Sequence, residues 1–266
     1  MYVSRFNNGT FTAGQLVENQ ASEVNHPSVR VANNGDIMIV WTSDATTGNG
    51  LYVNRFRAST GTWTGPQQLT VGASTLTELE FDNAGNAYAV WRAATTNPAA
   101  TNVMFRRFNA STNAWEALQT LAAWPNTRIT IFPPVELVVD GAGNALVAYA
   151  DMSTGQIKTR QRDAATGQWG PAKTVTGSDG YAEEYWNEPL IALMNNGRFA
   201  VVFENGNTGR WLISRLENGV WSLAEPFVSG TSSQSIDVHA TLDDRGKARV
   251  GVSVDRIGVL TRVPQR

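Results

Sequence analysis

The stretch ANNGDIMIVW at 32–41 returns as DNAGNAYAVW at 82–91, DGAGNALVAY at 140–149, MNNGRFAVVF at 194–203 and DDRGKARVGV at 243–252. Its glycines, Gly35, Gly85, Gly143, Gly197 and Gly246, stand 50, 58, 54 and 49 residues apart. Each copy opens with an Asx/Gly turn, where glycine supplies a positive φ, and runs into an apolar strand ending in Trp41, Trp91, Tyr149, Phe203 or Val252. In IMIVW and AYAVW apolar residues occupy both parities, so both faces of this strand must be covered. A half-solvated sheet would alternate apolar and polar residues instead.

A second pattern follows the first. It reads YVNRFRASTGTW (52–63), MFRRFNASTNAW (104–115), KTRQRDAATGQW (158–169) and LISRLENGVW (212–221). A strand, a short polar turn and an aromatic-led strand make a second hairpin. Two hairpins per repeat of about 50 residues give four antiparallel strands, A to D, the size and content of a propeller blade. The predicted fold is therefore all-β: a five-bladed β-propeller of four-stranded antiparallel blades forming one domain over 1–266. Blades fall at roughly 25–70, 76–121, 132–176, 187–229, and 235–266 completed by 1–18. The N-terminal YVSRFNNGTF and TAGQLV read as strands C and D without an A and B, so the closing blade is shared between the termini. The C-terminus also offers a C-like strand near Arg262, and the sequence leaves open which of the two completes the blade.

Composition excludes several function classes. The formal charge is −2 with both signs interspersed, which gives no footprint for nucleic acid. No apolar run is long enough to span a bilayer. There is no cysteine, hence no disulfide frame and no thiol chemistry. Low charge with abundant Gly, Asn, Thr and Ser points to an extracellular, periplasmic or cell-surface protein whose leader has been removed. His26 and His239 lie far apart without metal-ligand spacing, so neither a metal nor a cofactor is expected.

The "Asp/Asn-x-x-Gly-Asn … Val-Trp" strand followed by "Arg-Phe … Thr-Gly-x-Trp" resembles the exported bacterial propeller repeats of the sialidase-like superfamily. That family carries an Asp-box, Ser-x-Asp-x-Gly-x-x-Trp, in its C–D turn. Here the turns read Ala58-Ser59-Thr60-Gly61-Thr62-Trp63 and Ala164-Ala165-Thr166-Gly167-Gln168-Trp169, keeping the Trp but lacking the central Asp. The resemblance implies a fold and transfers no catalytic residue.

Recurring residues read as packing: Phe11, Trp63, Trp115, Trp169 and Trp221 in every blade, and Arg5, Arg55, Arg107, Arg215 and Arg262, with Gln161 at that place in the third complete blade. Function belongs where copies diverge, on the D–A and B–C connections. The connector SDGYAEEYWNE at 178–188 offers Tyr181, Glu183, Tyr185, Trp186 and Glu188 for stacking on and hydrogen bonding to a sugar. Trp124, Arg128 and Arg92 extend that candidate ligand surface. Strand ends converge near the axis, bringing Arg92, Asp151, Glu204 and Asp255 from B together with His26, Glu78, Glu188 and Asp237 from A. Among these, Asp151, Glu188, Glu204, Asp237 and Asp255 are candidates for a glycosidase carboxylate pair, by analogy with five-bladed glycosidases. The leading expectation is a non-enzymatic recognition or surface-interaction propeller, with glycans or another surface protein as partner. The alternatives are a glycoside hydrolase using axial carboxylates and a structural repeat module of a larger surface protein.

Overall fold

Each repeat folds into an antiparallel sheet whose strands follow one another in chain order. The computed structural model describes residues 1–7, 9–19, 23–44, 48–96, 99–125, 135–151, 153–175, 177–178, 190–195, 197–205, 210–226, 236–242, 248–254 and 259–261, the last three segments by backbone alone. No helix occurs among them, and none is long and apolar enough to cross a membrane.

The chain divides into two compact units, Met1–Ile129 and Thr130–Arg266. The first unit begins with Tyr2–Val3 (β1), Phe6–Asn7 (β2), Thr10–Phe11 (β3) and Gln15–Leu16 (β4), in which β1 pairs with β4 and β2 with β3. Its first full sheet is Val24–Val31 (β5), Ile37–Ser43 (β6), Gly50–Arg57 (β7) and Thr62–Trp63 (β8), with Gln67–Val71 (β9) also on β7. Its second is Ser74–Phe81 (β10), Ala87–Thr96 (β11), Ala99–Asn109 (β12) and Ala114–Trp115 (β13), with Gln119–Pro125 (β14) also on β12. The predicted strand D is thus split in two. In the first sheet the break falls at Thr64-Gly65-Pro66, where proline has no N–H to donate.

The second unit holds Val135–Val139 (β15), Ala145–Ala150 (β16), Ile157–Arg162 (β17) and Lys173–Thr174 (β18) as its first sheet. Leu190–Asn195 (β19), Arg198–Asn205 (β20), Arg210–Glu217 (β21) and Val220–Trp221 (β22) form the next, with Glu225–Pro226 (β23) also on β21. Ile236–Leu242 (β24), Ala248–Val254 (β25) and Val259–Thr261 (β26) make a three-stranded sheet, in which β26 takes the place of strand C.

Coverage of both faces of strand B is what the sequence required. Met38 to Trp41, Ala87 to Trp91, Ala145 to Ala150 and Ala200 to Phe203 are all buried. One core joins Met38, Val40, Leu51 and Leu69 of the first sheet to Leu79, Ala87, Trp91 and Phe108 of the second. Another joins Leu146, Ala148 and Ile157 to Leu190, Phe199, Val201 and Trp221. The sheets of each unit therefore stack face to face, as blades do. Burying a side chain such as Trp41 or Trp91 completely contributes about 3 kcal/mol.

Three repeated devices hold the stack. The D-strand aromatic packs on a C-strand phenylalanine of its own blade: Phe11 on Phe6, Trp63 on Phe56 at 5.5 Å, Trp115 on Phe108 at 5.6 Å. The C-strand arginine of one blade lies over that phenylalanine in the next, with Arg5 3.9 Å from the Phe56 ring centre and Arg55 4.8 Å from that of Phe108. The N-terminal strands accordingly sit on the first sheet as that sheet sits on the second. The third device explains the Asp-x-x-Gly-Asn motif. Asp82 Oδ1 accepts the N–H groups of Ala84 and Asn86 within the A–B turn, while Asn86 Oδ1 reaches across to the Ala110 N–H in the C–D turn. Asp140 and Asn144 repeat this with Ala164. In the first sheet Asp36 takes the place of the asparagine and binds the Ala58 N–H. Both turns thus lie at one end of the blade, clipped together.

Candidate functional site

The first strands of the two full sheets in Met1–Ile129 are neighbours, and they bear charge at matching places. Ser28 on β5 faces Val40 of its own sheet, and Glu78 on β10 faces Val90; Arg30 faces Met38, and Glu80 faces Tyr88. Arg30 and Glu80 therefore hold one register position in consecutive blades, fifty residues apart. The structure joins them: Arg30 Nε donates to Glu80 Oε1 at 2.9 Å, and Arg30 Nη2 lies 3.7 Å from Glu78 Oε2. Glu78 and Glu80, two apart on a strand, share one face and one guanidinium.

One cation between two carboxylates leaves a surplus negative charge in a partly desolvated place. Burial raises the pKa of Glu78 to about 7; Arg30 opposes this and the Glu80 charge adds to it. Burial also pushes Glu80 up, against its direct ion pair with Arg30. Arg30 and Glu80 line a cavity of about 110 Å³ with Asn33, Asp82 and Asn83, toward the A–B turns. Near pH 7 Glu78 divides between acid and carboxylate, beside Glu80, which carries the direct ion pair with Arg30.

Nearer the start of β5 the backbone bulges at His26, which takes a φ of +50°. The turn is pinned on three sides. Thr77 Oγ1 donates to the His26 carbonyl at 3.0 Å, Thr42 Oγ1 donates to the Asn25 carbonyl at 3.1 Å, and His26 Nδ1 lies 3.3 Å from Thr42 Oγ1. The matching residues of β10 bulge likewise between Thr75 and Glu78. A non-glycine residue held at positive φ marks stored strain, which collects at functional sites.

The residues singled out from sequence are placed as follows. Arg92 and Trp124 are brought together, with the guanidinium 5.3 Å from the indole centre, and both are buried inside the second sheet. Asp151 follows β16, and its Oδ1 accepts the N–H and hydroxyl of Ser153 in the turn to β17. Glu204 lies near the end of β20 with its pKa pushed up by burial. Asp237 is on β24, described by backbone alone. Arg128, Tyr181, Glu183, Tyr185, Trp186, Glu188 and Asp255 lie outside the described residues. No group of metal-ligating side chains occurs among the described residues. Sequence reasoning placed Glu78 near the axis but missed Glu80 and Arg30. The available signal was their opposite charge at equivalent places of a 50-residue repeat.

Several solved structures share this fold. An α-L-arabinanase of Penicillium chrysogenum complexed with arabinobiose is 15% identical over 88% of this chain and 76% of its own, with a TM-score of 0.56. A polysaccharide lyase acting as an ulvan lyase is 12% identical over 88% of this chain and 65% of its own, with a TM-score of 0.57. An α-L-arabinofuranosidase from Fusarium graminearum, in complex with an iminosugar inhibitor, is 10% identical over 88% and 75%, with a TM-score of 0.52. No protein-family model matches the chain, and no curated protein matches it in sequence. At these identities the likeness is one of fold, and the fold is that of β-propeller enzymes. Two expectations change. The non-enzymatic recognition propeller gives way, because the matching propellers are carbohydrate-active enzymes. The family resemblance narrows to the propeller itself, with no support for its sialidase-like part.

Proposed function

We propose that this chain is a carbohydrate-active propeller enzyme that cleaves glycosidic bonds, its five repeats being five blades. The observation that carries the proposal is the Arg30–Glu78–Glu80 cluster on the neighbouring first strands of two sheets. Glycoside hydrolysis needs one carboxyl to protonate the leaving oxygen and a second, ionised, to activate water or stabilise the developing cation. Glu78, raised to about 7, fits the acid. Glu80, bonded to Arg30 at 2.9 Å, fits the carboxylate. The aromatic and acidic residues of 178–188, Tyr181, Tyr185, Trp186 and Glu188 among them, are proposed to stack on and hydrogen-bond to the sugar. A glycan outside the cell is the substrate class that the composition and the fold both favour.

The test is release of reducing ends from arabinan and from a uronate-containing polysaccharide. Glu78→Gln and Glu80→Gln should each lower turnover by about 10²-fold or more while leaving the fold intact. The limb of the pH–rate profile near 7 should vanish in Glu78→Gln. Turnover at wild-type level in both folded variants would refute the assignment.

A further inference from the structure

A wider cavity than the one beside Glu80 lies apart from the carboxylate pair. It is an open groove of about 750 Å³ where the A–B and C–D turns of the first sheet meet the C–D turn of the second. Asn34 lines it, while its neighbour Asn33 lines the small cavity beside Glu80. This end of the blades is built from the most uniform part of the repeat, so any departure from the pattern there calls for a reason.

Besides Asp36, which stands where the other two sheets have the clip asparagine, two departures border the groove. The residue closing strand C is Asn109 in the second sheet and Asp163 in the third. Each caps its own turn, Asn109 Oδ1 accepting the N–H groups of Ser111 and Thr112, and Asp163 Oδ1 those of Ala165 and Thr166. The first sheet has Arg57 at this place, which cannot accept a hydrogen bond and gives up that cap. Its guanidinium has no side-chain partner among the described residues. The second departure is Asn113, which occupies the positive-φ position that Gly61 and Gly167 hold in the neighbouring copies. Its φ is +54°, against +70° and +71° for the glycines. The strain of a non-glycine residue is tolerated at a spot where its amide reaches into the groove.

Accounting for hydrogen-bonding capacity decides what the groove accepts. Asp36, the one carboxylate in it, is saturated by Arg55 and by the Ala58 N–H. Asn34 Oδ1 is taken by the Asp36 N–H, and Asn113 Oδ1 accepts from Arg55 Nη1 at 2.7 Å. What remains are the Arg57 guanidinium, the Nδ2 groups of Asn34 and Asn113, and the hydroxyl of Ser59. Nearly all the spare capacity donates, and one member carries a full positive charge. Such a surface recognises an oxyanion set among hydroxyl acceptors. Its volume is far beyond that of one small anion and suits several sugar rings.

We infer that this groove is a second binding site, which holds a segment of an acidic polysaccharide through its carboxylate or sulfate groups, with Arg57 as the charged anchor. The site does not depend on the Glu78 chemistry. Titration of the intact chain with oligogalacturonate, a sulfated dextran oligomer, neutral arabinan oligomers and inorganic sulfate alone tests it. The acidic oligomers should bind, their relative affinity showing whether carboxylate or sulfate is preferred, and the neutral oligomers and free sulfate should bind at least tenfold more weakly. Arg57→Asn restores the residue of the second blade together with its turn cap, so the fold should be kept; acidic-oligomer affinity should nevertheless fall about tenfold or more. Glu78→Gln should leave this binding unchanged, which separates the groove from the proposed catalysis. Equal binding of neutral and acidic oligomers, no binding of acidic oligomers by the wild-type chain, or undiminished affinity in folded Arg57→Asn would each overturn the inference.

Discussion

Replacing Glu78 with glutamine tests the electrostatics between β5 and β10 without any substrate. The Glu78 carboxyl titrates near 7 in the folded chain against 4.5 for a free glutamate. Between those values the native state keeps a proton that the unfolded state has released. The unfolded state then binds fewer protons, so stability declines as pH rises. The contribution of the neutral acid is complete below about pH 4.5 and is lost as pH rises through about 7. At full value the displacement is worth ~3 kcal/mol. With 31% of the side chain exposed, solvent screening brings it to about 1–2 kcal/mol. Urea unfolding of wild type and Glu78→Gln at pH 4.5, 6 and 8 reads this directly, because glutamine preserves shape and removes the titration. The stability of wild type relative to the variant should fall by about 1–2 kcal/mol across that range. Glu80 and Glu204, also raised by burial, slope both proteins alike and so largely cancel in the difference. Parallel pH curves would show that Glu78 titrates normally, and its role as acid would fall with them.

Two further predictions concern the devices that stack the blades. Trp221 is 4% exposed and donates from Nε1 to Thr159 Oγ1 at 2.8 Å, whereas Trp115 is only half-buried against Phe108. Trp221→Ala should therefore cost about 3–5 kcal/mol and Trp115→Ala about 2–3 kcal/mol in denaturant melts; equal losses would contradict this ranking. Asn86→Ala leaves the Ala110 N–H without its partner and Asp82 Oδ2 with only the Tyr88 hydroxyl, and should cost about 1–3 kcal/mol, so an unchanged melt would rule out the turn clip as a stabilising contact.

The parts of this fold that were legible in the sequence are those whose signal is local. Apolar residues on both parities of IMIVW and AYAVW require cover on two faces, and for IMIVW the N-terminal strands and the second sheet provide it. The Asx/Gly turns announce hairpins because so few residues accept positive φ. The split of strand D was missed, although Gly65-Pro66 marks it in the first sheet. The carboxylate pair was only half seen. Glu78 stood out as acidic near a strand start, but Glu80 and Arg30 look like ordinary solvated charges until β5 and β10 are set side by side. Their meaning lies in register between copies, which no single-strand pattern records. Arg92 shows the converse: a charge near a strand end suggests a ligand surface, while its place in the second sheet is interior, against Trp124. The groove at Arg57 was overlooked because the turn face is uniform by pattern. Its information lies in two positions that break that pattern.

The placement of Arg5 on Phe56 and of Arg55 on Phe108 has a consequence for how such a chain can change length. Along this stretch a plug and a socket sit adjacent in sequence as Arg-Phe, at Arg5-Phe6, Arg55-Phe56 and Arg107-Phe108, whereas the next two copies read Gln161-Arg162 and Arg215-Leu216. A duplication of one whole period within this stretch brings a matched plug and socket, so the seams on either side of the copy close. A cut made out of phase strands an arginine at one seam and uncovers a phenylalanine at the next. Length variation within this stretch is thereby quantised in single blades, with the unit of exchange set by a two-residue connector.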